Sequence, residues 1–233
     1  MAEPEVLTRL KHALKSVRRV AGWLWDRGWA EWGAGNISVN INHLIYDSPE
    51  VEKPGVLSLL ISTSGSRMRQ MAKKPENQLC IVNIETGQEP VIVPIAKSYP
   101  TPVPTSELHS HVLVHETLLK YRPEHKAVLH THPAEIIALS QSALASNEKT
   151  LNEKLCAVLP ELKIYLPEGI ALVPFFEPGS IELARASAQS LSGHRVAIWE
   201  KHGIMATGPD LEEAFDAVDL VVKAAKVWFM LEK

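Results

Sequence analysis

Cysteine is scarce in this chain. Its 233 residues include only Cys80 and Cys156, far apart and outside any Cys-x-x-Cys pattern. That disfavours a thiolate zinc site and suits a reducing compartment such as the cytoplasm. Long apolar runs are absent too, and no window approaches the ~20 apolar residues of a membrane span. The opening Met1-Ala2-Glu3-Pro4-Glu5 is acidic and has no apolar signal core. No extended basic run stands out among 24 basic and 27 acidic residues, and the net charge is -3. Nucleic acid and membrane are therefore poor candidates for partners. The basic pair Arg18-Arg19 reads as a solvated helix face. Neither a Walker loop nor a dinucleotide fingerprint occurs, which disfavours nucleotide binding. There is no internal repeat, low-complexity tract or clear linker.

What is present is the composition of an ordinary globular protein, 45% hydrophobic and 22% charged. The length suits one domain, residues 1–233, with a substantial core. Apolar residues from Leu10 to Leu24 recur at helical spacing, so Val6 to about Trp29 reads as an amphipathic helix. Trp23, Trp25, Trp29 and Trp32 crowd its end and read as core and interface packing. Ile37–Ile41 alternates apolar and polar like a half-buried strand. Residues 42–56 read as a hairpin connection. Val56–Ser62, Leu79–Ile84 and Pro90–Pro94 read as strands, and Pro100–Pro104 as an extended stretch. A helix is expected from Thr105 or Ser106 to Tyr121. Further helices are expected over 134–145, 151–159 and 180–191. Ile164–Leu166, Ile170–Val173 and Val196–Trp199 read as strands, with Met205–Thr207 a candidate continuation of the last. Pro209 fits the first position of the last helix, which should bury Phe215, Val218, Val222 and Ala225. Strands with intervening helices argue a three-layer α/β domain.

The chemically informative run is His130-Thr131-His132, at the end of Ala127-Val128-Leu129 and just before Pro133. In a strand, residues i and i+2 share a face, so two imidazoles project together, as metal ligands do. His202, in a strand-like segment before Gly203, could complete a three-histidine zinc set with an open position. A surface-loop histidine is the commoner case for such a residue, and spacing does not separate the two. His109, His111 and His115 form a rival cluster, but no Glu follows His111, so the zincin pattern is absent. They read as interface or surface histidines. Glu107, at a helix start, is either a carboxylate complementing the helix dipole or an acid/base facing a pocket. Gly35-Asn36 and Ser64-Gly65-Ser66 are turn sequences that could also form an anion nest.

In order along the chain, Gly35-Asn36-Ile37-Ser38, Ser64-Gly65, Ser106-Glu107, His130-x-His132 and His202-Gly203 resemble the class II aldolase/adducin family over nearly the whole length. The stretches Pro104–Leu108, His130–Ala134 and Leu166–Ile170 are most similar to the branch that cleaves L-rhamnulose 1-phosphate. This resemblance implies a single three-layer α/β/α domain with a central, mainly antiparallel sheet. It implies one Zn2+ per subunit held by His130, His132 and His202, with Glu107 as catalytic acid/base. Asn36, Ser64, Gly65 and Ser106 would contact the phosphate or carbon chain of a sugar phosphate. Glu161 would be a second carboxylate reaching a neighbouring subunit, in a homo-oligomer that the resemblance makes a tetramer. The implied reaction cleaves a ketose 1-phosphate to dihydroxyacetone phosphate and an aldehyde, L-lactaldehyde for the rhamnulose substrate. Other reactions of the family are the alternatives: fuculose-phosphate cleavage, ribulose-phosphate epimerisation, methylthioribulose-phosphate dehydration, or a non-catalytic adducin-like interaction module. Two departures bear on the substrate. Gly33 stands where that branch carries Asn, and the chain ends at Lys233 without that branch's C-terminal extension.

Overall fold

Leu10, Ala13, Val17, Val20, Ala21 and Leu24 fall on one helical stripe and are all buried, which is what holds helix α1, Lys11–Asp26, in place. The structure is a computed structural model and describes residues 8–45, 55–96 and 101–232. The start of the expected first helix, most of the connection expected over 42–56, and Pro100 lie outside those residues. The chain divides into two compact units, Met1–Leu108 and His109–Lys233.

The first unit carries four strands: β1 (Asn36–Asn40), β2 (Val56–Ser62), β3 (Leu79–Glu85) and β4 (Val91–Pro94). Each pairs antiparallel with the next, with Ser38 opposite Ile61, Leu59 opposite Val82 and Asn83 opposite Val91. Gly87, at φ +80°, turns β3 into β4. The strand expectations hold here, with one correction. β1 is not half-buried, because Asn36, Ser38 and Asn40 are enclosed as well as Ile37. Their polar groups can be enclosed because partners exist: the Ile37 amide donates to Ser62 Oγ at 3.0 Å, and the Asn42 amide to Asn40 Oδ1 at 3.0 Å. Asn42–Ile45 forms a single helical turn rather than part of a hairpin loop.

The core-packing part of the tryptophan expectation is a second correction. Of Trp23, Trp25, Trp29 and Trp32, Trp29 alone is in the core; Trp32 is 81% exposed and Trp23 and Trp25 are partly exposed. Arg67 lies over the Trp32 ring and Arg69 over that of Trp25, so these rings serve as faces for guanidinium groups rather than as core filling. Arg18 and Arg19 are exposed, as expected.

The second unit opens with α2 (Leu108–Tyr121), then β5 (Ala127–Thr131), α3 (Ala134–Leu139), α4 (Glu148–Val158), β6 (Ile170–Val173), α5 (Ile181–Gly193), β7 (Val196–Trp199), β8 (Gly203–Gly208) and α6 (Leu211–Leu231). β5 pairs antiparallel with β8, β8 antiparallel with β7, and β7 parallel with β6. The protein is thus α/β with mainly antiparallel strands. Val114, Leu118, Val128, Val173, Leu183, Leu191 and Met205 form the core between strands and helices.

Four local expectations fail here, each for a local reason. The helix over 134–145 stops at Leu139, because the Ser140 and Ser142 hydroxyls donate to the carbonyls of Ile137 and Leu139. Ile164–Leu166 is not a strand; Leu162–Tyr165 makes a helical turn, its amides bonding back to Leu159–Glu161. Met205–Thr207 does not prolong β7 but belongs to β8, which returns antiparallel to it. Pro209 precedes the last helix, and Asp210 caps it by accepting the Glu213 amide at 2.9 Å. The expected core face of that helix, Phe215, Val218, Val222 and Ala225, is buried. No described helix is long and apolar enough to cross a membrane.

Candidate metal centre and carboxylate

His130 is the fourth residue of β5, opposite Met205 of β8, and its ring is fully buried. His132 stands just past the strand, where Pro133 ends it. His202 is not in a strand. It occupies the turn Glu200–His202 between β7 and β8, closed by the His202 amide on the Trp199 carbonyl at 3.1 Å. That turn places Lys201 at φ +60°, in the left-handed region that costs a β-carbon-bearing residue energy.

The three imidazoles converge. Their ring centroids are 4.7, 4.8 and 4.9 Å apart, and one nitrogen from each lies within 4.8 Å of the others. His130 Nδ1 is 2.9 Å from the Ile204 carbonyl oxygen. A carbonyl only accepts, so Nδ1 carries the proton and Nε2 presents its lone pair inward. His132 Nε2 faces that atom at 2.8 Å. Burial, then the neighbouring His202, holds the His130 ring well below the usual histidine range, so it stays neutral, as a ligand must be.

These residues fit a divalent cation. Tetrahedral zinc at ~2.0–2.1 Å from imidazole nitrogens needs them about 3.3 Å apart, which lies between the 2.8 Å of the His130–His132 pair and the 4.8 Å that bounds the set. Three protein ligands leave a fourth position for substrate oxygen. The Trp199 indole walls one side, with its ring 4.3 Å from that of His130 and 5.1 Å from that of His202.

Gly203 makes this packing possible. A β-carbon there would press on the Thr131 carbonyl oxygen and come within 3.0 Å of the His132 ring and 3.3 Å of the His130 ring. Gly203→Ala is therefore expected to displace two of the three rings and to weaken zinc binding at least tenfold. It should also cost about 1–3 kcal/mol of stability from overpacking. Equilibrium dialysis against zinc, with denaturant melts of the metal-free protein, measures both effects; wild-type affinity in the variant would contradict this packing argument.

The rival cluster dissolves. His109 is exposed, while His111 and His115 are buried, not surface residues as expected. Burial, then the nearby His111 and Lys126, pushes the His115 ring down to about 3, so it is a neutral core residue near neutral pH. Among the described residues, the group with metal-ligand geometry is His130, His132 and His202.

The first unit holds the carboxylate. The Thr105 amide donates to the Ser62 carbonyl at 2.9 Å and the Ser64 amide to that of Val103 at 2.8 Å, so the stretch before Glu107 runs along the end of β2. Glu107 is thereby held inside, 5% exposed, immediately before α2. It does not sit within the helix, which begins at Leu108. Asn36 Nδ2 donates to Glu107 Oε2 at 2.9 Å, an orientation that no sequence spacing signals across 71 residues. Gly35, at φ +76°, lets the chain turn into β1 just before Asn36. Ser64, Gly65 and Ser106 are exposed, and Gly65 takes φ +71° in the turn Thr63–Ser66. Gly33 is sterically open: an added β-carbon would make only ordinary contact, 3.5 Å from the Ser66 carbonyl oxygen. Glu161 is exposed, in the turn that leads into Leu162–Tyr165.

Comparison with known proteins identifies the family. The profile of the class II aldolase and adducin N-terminal domain matches residues 15–229. A rhamnulose-1-phosphate aldolase of Bacteroides thetaiotaomicron is 33% identical over 233 aligned residues, covering 94% of this chain and 86% of its own. One from Listeria welshimeri is 30% identical, covering 89% and 79%. The crystal structure of a sugar-phosphate aldolase from Thermotoga maritima superposes with a TM-score of 0.80 at 31% identity, covering 96% of both chains. The chain belongs to the class II aldolase and adducin family, as one of its enzymes.

Proposed function

We propose that this protein is a zinc-dependent aldolase that cleaves L-rhamnulose 1-phosphate to dihydroxyacetone phosphate and L-lactaldehyde. The observation that carries the reading is the convergence of His130, His132 and His202, with the His130 tautomer fixed by Ile204. The similarity to the B. thetaiotaomicron rhamnulose-1-phosphate aldolase supports the choice of sugar. The family match extends through both compact units, which supports their acting as one domain over 1–233.

In this reading His130, His132 and His202 hold the ion. When bound, a divalent cation supplies Lewis-acid stabilisation of the charge that carbon–carbon cleavage leaves on substrate oxygens, an effect of several kcal/mol. Glu107 moves the proton at the carbon left on the dihydroxyacetone phosphate side, and Asn36 orients its carboxylate. Ser64, Gly65 and Ser106 offer exposed hydroxyls and a backbone amide to the phosphate end, so remote binding becomes orientation. Glu161, exposed, is the carboxylate offered to a neighbouring subunit in a homotetramer. Free Cys80 and Cys156 agree with a reducing, cytoplasmic setting.

The test is a panel of sugar phosphates, including L-rhamnulose, L-fuculose and ribulose phosphates, given to the zinc-loaded protein with product analysis. L-Lactaldehyde released fastest from rhamnulose 1-phosphate is the expected result. Cleavage of another sugar alone would move the substrate assignment, and no turnover of any would sink the enzyme reading.

A further inference from the structure

His130 lies in β5 and His132 directly follows it, whereas His202 sits in a turn, so something else must fix the turn that carries it. Three side chains and carbonyls around the turn do so. The Glu200 amide donates to the Val173 carbonyl at 3.0 Å, and the Glu200 carboxylate accepts the Phe175 amide at 3.1 Å. Both contacts tie the turn to the end of β6. On the other side, the amide of Lys201, the residue with positive φ, donates to Ser140 Oγ at 2.9 Å. The same hydroxyl donates its own proton to the Ile137 carbonyl at 2.8 Å. One serine therefore accepts from the strained turn while anchoring itself to α3.

The placement of α3 matters. It starts two residues after His132 and ends at Leu139, just before Ser140. Six helical residues thus form a stiff strut from the second imidazole to the hydroxyl, and the hydroxyl grips the residue next to the third. Ser140 is 7% exposed and has a single hydroxyl, so its donor and acceptor capacities are both engaged by these two bonds.

We propose that Ser140 is a positioning residue of the metal centre, fixing the Lys201–His202 turn relative to His130 and His132. The proposal rests on the reading of those imidazoles as metal ligands. Outer contacts of this kind are typically worth 10- to 100-fold in metal affinity. Ser142 is a built-in control. It makes the same kind of helix-end bond, to the Leu139 carbonyl at 2.7 Å, without the bond to the turn.

The experiment is cobalt(II) titration of metal-free wild type, Ser140→Ala, Ser140→Thr and Ser142→Ala, followed by visible absorption, with thermal melts of the metal-free forms. Ser140→Ala should bind cobalt about 10- to 100-fold more weakly and with an altered ligand-field band. Ser140→Thr, which keeps the hydroxyl, and Ser142→Ala should match wild type. If Ser140→Ala does not fold, the near-isosteric pair Ser140→Thr and Ser140→Val supplies the same contrast. Wild-type affinity and band in the variant lacking the hydroxyl overturn the proposal, as does a Ser140→Thr protein as weak as Ser140→Ala. Failure of wild type itself to bind cobalt or zinc overturns the metal reading beneath it, a result distinct from the other two.

Discussion

Glu107→Gln is expected to lower kcat by about 10²–10⁴-fold, the usual contribution of a positioned proton-transfer group, with KM little changed. The substitution is a clean one here. Asn36 Nδ2 donates to the Glu107 side chain, and a glutamine amide oxygen can accept that same bond. Shape, burial and orientation are preserved, and only the ability to take up and release a proton is lost. The metal-free variant should therefore melt within a degree or two of wild type and bind zinc normally. A variant that turns over rhamnulose 1-phosphate at near wild-type rate would remove Glu107 from the chemistry and leave its burial as a packing feature. Steady-state kinetics on the zinc-loaded protein decide the matter.

Metal removal should have the larger effect. Carbon–carbon cleavage beside a ketone needs a sink for the electrons left behind, either a divalent cation or a lysine Schiff base. The three convergent imidazoles supply the means for the first. Dialysis against a chelator is expected to abolish activity, and added Zn2+ to restore it. Borohydride in the presence of substrate should leave the enzyme active, since no imine is there to trap. His202→Ala should reproduce the chelated state and resist rescue at moderate zinc concentrations. Activity that persists after metal analysis shows the protein empty would end this mechanism.

Much of this was legible in the chain before any coordinates, and the failures share a cause. β2 spans the same residues that its apolar run marks, and the paired histidines stand at the end of a strand as the two-residue period requires. Helix faces were legible because burial follows the 3.6-residue repeat. What periodicity cannot carry is the conformation of short connections. The turn at Glu200–His202 looked like strand because its flanks are strand, yet one residue at positive φ reverses the chain. The 162–165 turn looked extended because it is apolar and short, and backbone bonds to Leu159–Glu161 decided otherwise. Tryptophan is apolar enough to suggest core, but arginines cover several of these rings from outside. The hold of Asn36 on Glu107 and of Ser140 on Lys201 joins residues 71 and 61 positions apart. Only the fold creates such neighbours.

The late arrival of His202 has a consequence during synthesis. From His132 to His202 is 70 residues (202 minus 132), which a ribosome adding about 5–20 residues per second takes roughly 4–14 s to make. Through that interval the proposed site has only two of its three imidazoles. A pair of imidazoles would hold a cation more weakly than the set of three completed when β8 docks beside β5. On the proposed reading, the full ligand set would form only once translation has delivered both strands.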